Sequence, residues 1–176
     1  MSLTPGQVRV RAAGPDDLAA IAGIFAHYVT HSVATFEETP PTVRDWERKL
    51  AGLRELALPF LAAETGAGVA GYAYASPWRP KPAYRHTVED SVYLAPEWTG
   101  KGLGRPLLSA LLQRCARAGA RQVIAVIADN GEGASAALHR ACGFTDAGRL
   151  ASVGFKHGRW VDTVLMQCDL TTSAAG

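Results

Sequence analysis

Val92-Tyr93-Leu94-Ala95-Pro96-Glu97-Trp98-Thr99-Gly100-Lys101-Gly102-Leu103-Gly104 is the stretch from which the rest of the chain is read. An apolar strand runs into a proline turn, the turn into glycines, and the glycines into Leu103, Leu107, Leu108, Leu111 and Leu112. That leucine spacing predicts one buried face of a helix over Gly102 to Ala118. Pro106 fits only within a first helical turn, so the helix starts near Gly102 to Gly104. A strand–glycine turn–helix unit aims several backbone N–H groups and a helix N-terminus at one spot, which suits a phosphate-bearing ligand. Glycine is needed where the backbone must approach closely or take φ > 0. Two other phosphate motifs are excluded. A Walker loop needs Ser or Thr after Gly-Lys, and Lys101 is followed by Gly102. A dinucleotide fingerprint needs a third glycine where this chain has Arg105, and it opens a first strand–helix unit. The competing reading is a purely structural turn.

Upstream, Val8-Arg9-Val10-Arg11 alternates like a short strand, and Asp16-Asp17 precede Leu18, Ile21, Ile24, Phe25 and Tyr28 at helical spacing. His31 to Pro41 reads as a loop. Thr42 is placed to cap a second helix containing Trp46, Leu50 and Leu53. Phe60–Ala63 and Val69–Tyr74 flank Thr65-Gly66-Ala67-Gly68 as a hairpin. Ser76 to Tyr84, with three prolines, reads as irregular, and Thr87 to Leu94 as a strand. Downstream, Gln122 to Ala128 is apolar enough for a central buried strand. A short helix runs from Ala134 to Ala141 and stops at Gly143. Two strands follow, Phe144 to Val153 and Trp160 to Leu170. The order predicts an α/β domain around one mixed sheet.

The chain has 176 residues, 48% hydrophobic and 19% charged, the size and composition of one folding domain. We expect a single domain over 1–176 with its core over 8–170, and loose tails at Met1 to Gly6 and Thr171 to Gly176. A formal net charge of +2 argues against nucleic acid or a membrane surface as the main partner. Cys115, Cys142 and Cys168 form no C-x-x-C pair, so neither a metal site nor a disulfide framework is indicated, and none falls on a nucleophile motif. No apolar run reaches membrane length and the N-terminus carries no signal pattern, so the expected location is the cytoplasm.

Gly100-Lys101-Gly102-Leu103-Gly104 after an apolar strand resembles the pyrophosphate loop of the GNAT acetyltransferases. The family's leading Arg or Gln is Thr99 here. Ser135, Leu138-His139 and Gly143-Phe144 resemble the small helix that flanks coenzyme A; the asparagine often found three residues before that serine is Glu132, with Asn130 nearby. Trp78-Arg79-Pro80, Thr87-Val88-Glu89, Ser91-Val92-Tyr93, Thr35-Phe36-Glu37 and Gly154-Phe155-Lys156-His157-Gly158-Arg159-Trp160 are similar to the phosphinothricin and methionine-sulfone N-acetyltransferase branch. The likeness spans Val8 to Leu170. It implies a GNAT fold, a mixed and mostly antiparallel sheet of about seven strands flanked by helices. It also implies acetyl-CoA as co-substrate without a metal, a small amine substrate and a homodimer. The function expected is acetyl transfer to the α-amino group of an amino-acid analogue such as phosphinothricin, methionine sulfoximine or methionine sulfone. The attack is direct, in a ternary complex. The rivals are the same chemistry on a polyamine, an aminoglycoside or a protein N-terminus, and a non-catalytic acyl-CoA sensor.

Amine acetylation needs a base, a stabilised oxyanion and a proton for the departing thiolate. Glu89 is the candidate base; strand alternation sends it and Asp90 to opposite faces, so they are not a paired-carboxylate site. His139 is the candidate proton donor, with a bond within the site as its other reading. The resemblance assigns coenzyme binding to Val92, Tyr93, Leu94, Thr99, Gly100, Lys101, Gly102, Leu103, Gly104, Arg105, Asn130 and Ser135. Backbone amides where the strand parts from its neighbour near Tyr93-Leu94 would serve the oxyanion. A substrate carboxylate prefers a guanidinium, for which Arg79 and Arg85 are candidates. Phe36 and Glu37 match a substrate-covering loop. Lys156 sits in a segment expected to turn toward a neighbouring subunit's site.

Overall fold

The computed structural model describes residues 7–172. The elements are β1 (Arg9–Ala12), α1 (Leu18–His31), α2 (Val43–Glu55), β2 (Phe60–Thr65), β3 (Gly68–Pro77), β4 (Thr87–Leu94), α3 (Gly104–Arg117), β5 (Gln122–Ala128), α4 (Ala134–Ala141), β6 (Thr145–Lys156) and β7 (Arg159–Asp169). Their boundaries follow local chemistry. Thr42 accepts the Asp45 N–H while Asp45 accepts the Thr42 N–H, closing the cap of α2. Gly14 donates to the Asp17 carboxylate ahead of α1, and Arg11 holds that carboxylate from β1 at 2.8 Å.

One seven-stranded sheet runs β1-β2-β3-β4-β5-β7-β6. Only β4 and β5 are parallel. α3 packs one face through Leu107, Leu108 and Leu111, all with no exposed surface, against Val88, Val123 and Met166. Each such leucine stabilises the fold by about 1.5–3 kcal/mol. α1 and α2 pack the other face, where Trp46, Phe60, Tyr72, Tyr74 and Phe25 form an aromatic layer. Ala62, Ala63, Ala73 and Ala75, fully buried in β2 and β3, let the helices come close on both sides.

Three expectations need correction. Ser76 and Pro77 still belong to β3, opposite Glu89 and Val88, so the irregular segment starts later. β6 extends to Lys156 and β7 begins at Arg159, leaving only His157-Gly158 as the turn. The first strand begins one residue later than the alternation suggested. Of the expected tails, Met1–Gly6 and residues 173–176 lie outside the described residues, and Thr171 bonds the Asp169 carboxylate.

Gly71 joins β3 to the end of β4 at close quarters. A Cβ there would lie 2.6 Å from Leu94 Cδ2 and 2.9 Å from the Tyr93 carbonyl oxygen. The leucine tip can yield; the backbone oxygen cannot without parting the strands. Gly71→Ala is expected to destabilise the protein by about 1–3 kcal/mol in urea denaturation; a change below about 0.5 kcal/mol would show that the strands part freely.

Candidate active site

β4 is paired along its whole length with β3, and β5 along its whole length with β7. Between them, pairing stops early. β4 and β5 share only Thr87↔Gln122, Val88↔Val123 and Glu89↔Ile124. From Asp90 to Leu94 and from Ala125 to Ala128 the two strands diverge. The Ala95 N–H bonds the Ala70 carbonyl at 2.8 Å, and the Ala75 N–H turns away from β4 to Pro59. Antiparallel alternation then directs the backbone groups of Glu89, Ser91 and Tyr93 to β3. The Asp90 carbonyl and the groups of Val92 and Leu94 face the gap. One is occupied: Tyr28 Oη donates to the Leu94 carbonyl at 2.6 Å.

Above the gap stands the glycine turn. Gly100 (φ +70°) and Gly102 (φ +82°) lie in the left-handed region with open space around them. Gly104 is a glycine for another reason: a Cβ there would lie 3.0 Å from Leu138 Cδ2, so its bareness lets α4 pack on α3. Leu103 is buried, so only its backbone can face a ligand. Thr99 Oγ1 donates to the Pro96 carbonyl at 2.8 Å, and Lys101 lies over the Trp98 ring at 5.0 Å. Arg105 is exposed on the first turn of α3. The turn, the helix start and the unpaired edge of β4 suit a ligand with a diphosphate at one end and an amide-bearing arm at the other. Asn130 and Ser135 border a separate cleft of about 570 Å³ beside Ile127, Arg149 and Val164. No residue of β4 or of the glycine turn lines it.

The two candidate catalytic groups lie on opposite faces of β4. Glu89, Ser91 and Tyr93 face α1 and α2; Val88, Asp90 and Val92 face α3. Burial, then the neighbouring Asp90 charge, raises the Glu89 carboxyl above the usual range, opposed by Arg79 and Lys49. His139 is buried, with Nε2 at 2.8 Å from Asp90 and Nδ1 at 2.7 Å from the Ser135 carbonyl oxygen. Burial opposes its charged form, but the Asp90 and Ser135 bonds outweigh that and hold its pKa above the ordinary histidine value. Both ring nitrogens are bonded, and His139 ties α4 to β4. Asp90, its partner, was missed; alternation gave its face but not a contact 49 residues away.

On the Glu89 face a cavity of about 390 Å³ is lined by Phe25, Glu37, Thr39, Pro40, Pro41, Asp45, Trp46, Lys49 and Tyr74. Tyr74 pairs with Ser91 and Ser76 with Glu89, so the cavity floor and the carboxylate share one face. Arg79 is exposed, its guanidinium stacked 4.7 Å over Trp78, and its charge acts on Glu89. Arg85 is exposed and bonds its own turn at the Pro82 carbonyl, and Arg79 and Lys49 are the cations that act on Glu89. Lys49 and Trp46 were missed as site residues. The signal was their i,i+3 spacing on α2; the sequence reading named Trp46 only as a residue of that helix and left Lys49 unread.

Lys156 also differs from expectation. It is 2% exposed and donates to the Thr35 carbonyl of its own chain at 2.8 Å. Desolvation lowers its pKa. Beside it the Phe36 ring presses on Gly154, where a Cβ would lie 2.3 Å from Phe36 Cζ. Burial pushes the pKa of Tyr93, on β4, upward, and Thr35 lowers it against that larger push. The β6–β7 hairpin and β4 thus clamp the Thr35–Glu37 loop from two sides.

A family model described as acetyltransferase (GNAT) family matches residues 22–144. The chain belongs to the GNAT acetyltransferase family. A phosphinothricin N-acetyltransferase of Alcaligenes faecalis is 51% identical over 158 residues, covering 90% of this chain and 80% of that protein. An L-methionine sulfoximine/L-methionine sulfone acetyltransferase of Pseudomonas paraeruginosa is 39% identical over 162 residues, covering 92% and 94%. The crystal structure of a GNAT superfamily phosphinothricin acetyltransferase from Sinorhizobium meliloti in complex with acetyl-CoA superposes with a TM-score of 0.88 at 45% identity, covering 92% of this chain and 88% of that one. The expected GNAT fold is borne out. Among the described residues no cluster of metal-ligating side chains occurs, and no helix is long and apolar enough to cross a membrane.

Gly154→Ala and Lys156→Met are expected to raise amide exchange at Thr35–Glu37 by about tenfold or more, while exchange in α3 stays unchanged. Unaltered exchange at Thr35–Glu37 in both variants would show that the clamp does not hold the loop.

Proposed function

We propose that this protein transfers the acetyl group of acetyl-CoA to the α-amino group of a small amino-acid analogue of the phosphinothricin, methionine sulfoximine or methionine sulfone type. The single observation that carries this reading is the early divergence of β4 and β5 at Glu89, with a glycine turn at one end of the gap. The printed activities of the relatives at 51% and 39% identity support the substrate class.

The coenzyme supplies an activated acetyl thioester. Gly100 to Gly104 and the α3 N-terminus hold its diphosphate through backbone N–H groups. The Val92 and Leu94 edges of β4 hold its amide-bearing arm, and an N–H there donates to the carbonyl oxygen as it gains charge. Glu89, directly or through one water, takes the proton of the ammonium; its burial makes it a stronger base than a solvated glutamate. The amine then attacks in the ternary complex. Arg79 pairs with the substrate carboxylate, and Phe36 and Glu37 cover the pocket. The thiolate proton comes from the amine by way of solvent or Glu89, since His139 is committed to Asp90 and Ser135.

The whole chain is read as one catalytic domain. Three free thiols support a reducing, cytoplasmic setting. Exposed Leu150, Val153, Phe155 and Trp160 on the β6–β7 hairpin, at the sheet edge, support a homodimer. The role we assign is detoxification, because acetylation removes the ammonium by which such analogues mimic amino acids.

Glu89→Gln is expected to lower kcat by about 10²–10⁴-fold without weakening acetyl-CoA binding. The raised pKa fixes the sign of the pH dependence. The carboxylate is the active form, so the rate rises with pH through a limb above the usual glutamate value. Arg79→Ala, which removes a cation that lowers this pKa, moves the limb upward. Thiol release followed across pH checks both; a Gln variant with unchanged kcat would remove Glu89 from the chemistry.

A further inference from the structure

Lys49 has no place in the coenzyme site or in proton removal, yet its ammonium is fixed at the acceptor cavity. It follows Trp46 by one helical turn on α2, so both project to the same side. Its Nζ donates to Tyr74 Oη at 3.4 Å, lies 4.7 Å over the centroid of that ring and sits 5.8 Å from the Trp46 ring. No ion pair engages it among the described residues. Asp45, one helical turn before it, is occupied by the Thr42 N–H and hydroxyl and by Arg48 at 2.7 Å. Glu37 faces the same cavity from the covering loop. Asp45 is therefore neutralised by Arg48, and the acids that face Lys49 are Glu37 in the cavity wall and Glu89, on which its charge acts.

The floor offers a further donor. Trp46, which lines the cavity, has a buried Nε1 with no hydrogen-bond partner. Lys49 and Arg79 both act electrostatically on Glu89, so the two cations and the carboxylate share one site. An amino acid seated with its amine at Glu89 needs one cation for its α-carboxylate. The second cation is surplus unless the side chain is also anionic. Repulsion from Glu37 works against an anion here; both side chains are exposed, and the Lys49 ammonium is in addition held against two aromatic rings.

We propose that Lys49 forms the cationic wall of a side-chain subsite that selects amino acids ending in an oxoanion, such as a phosphinate, over neutral analogues of similar shape. This deepens the acetyl-transfer reading and rests on it. L-Phosphinothricin, with an anionic phosphinate, and L-methionine sulfone, with a neutral tetrahedral sulfone, are matched probes.

Each is titrated calorimetrically into the protein saturated with coenzyme A, which reads binding without turnover. Lys49→Met is expected to raise Kd for phosphinothricin about tenfold or more and to change Kd for methionine sulfone by less than about twofold. Lys49→Arg, which keeps the charge, retains the preference. Equal weakening of both ligands, no change in either, or no binding of phosphinothricin by the unmodified protein would overturn the assignment. Failure of the acetyl-transfer reading shows separately, as no thiol release with any amine while the binding preference persists.

Discussion

The structure depends on two strands that begin as partners and then separate. β4 and β5 are each fully paired on their outer edges, to β3 and β7, so neither can drift to close the gap between them. The inner edge of β4 beyond Glu89 is left with polar backbone that no strand satisfies. Leaving such groups buried and unpaired costs about 1–3 kcal/mol each, so the gap must be filled by water or by a ligand that supplies its own amides. The same strand runs on into Gly100 and Gly102, whose left-handed backbone opens the N-terminus of α3. A ligand reaching from helix start to gap meets main-chain donors throughout, which makes the site insensitive to side-chain identity. That is why Thr99, in place of a basic or amide residue, leaves the architecture unchanged.

Strand pleating divides the labour. Glu89 and Tyr93 look toward α1 and α2, where aromatic rings build a dry floor; Asp90 looks toward α3 and α4, where it meets His139. A buried ion pair of this kind is weak as a source of net stability, but removing one partner strands the other. Asp90 Oδ1 already lacks a partner, which leaves the pair dependent on the histidine. The pair fixes α4 against β4, and Leu138 on Gly104 fixes α4 against α3. Both contacts seat α4 beneath the sheet, while the clamped Thr35–Glu37 loop lies toward its other face.

Local patterns carried the fold into view. The leucine spacing of α3, the Thr42 cap, the glycines of the β2–β3 turn and the apolar run of β5 each depend on neighbours within a few residues. The glycine turn, and the strand that carries Glu89, were legible for the same reason. What escaped were contacts between residues distant in sequence. Nothing near His139 announces Asp90, and nothing near Lys156 announces Thr35, 121 residues earlier. Lys156 was read as part of a turn toward a neighbouring subunit on family likeness, yet strand alternation puts it inward with Gly154 and leaves Phe155 outward. Gly104 fits a ligand loop and a helix contact equally well in sequence; only the position of Leu138 separates the two.

The central claim is that the unpaired edge of β4 and the glycine turn together receive coenzyme A. Amide hydrogen exchange, measured with and without coenzyme A, reads those groups directly. The account predicts strong new protection confined to Val92, Leu94 and the Gly100–Gly104 amides, with β3 and β7 unchanged. Protection elsewhere with none at these amides would contradict it.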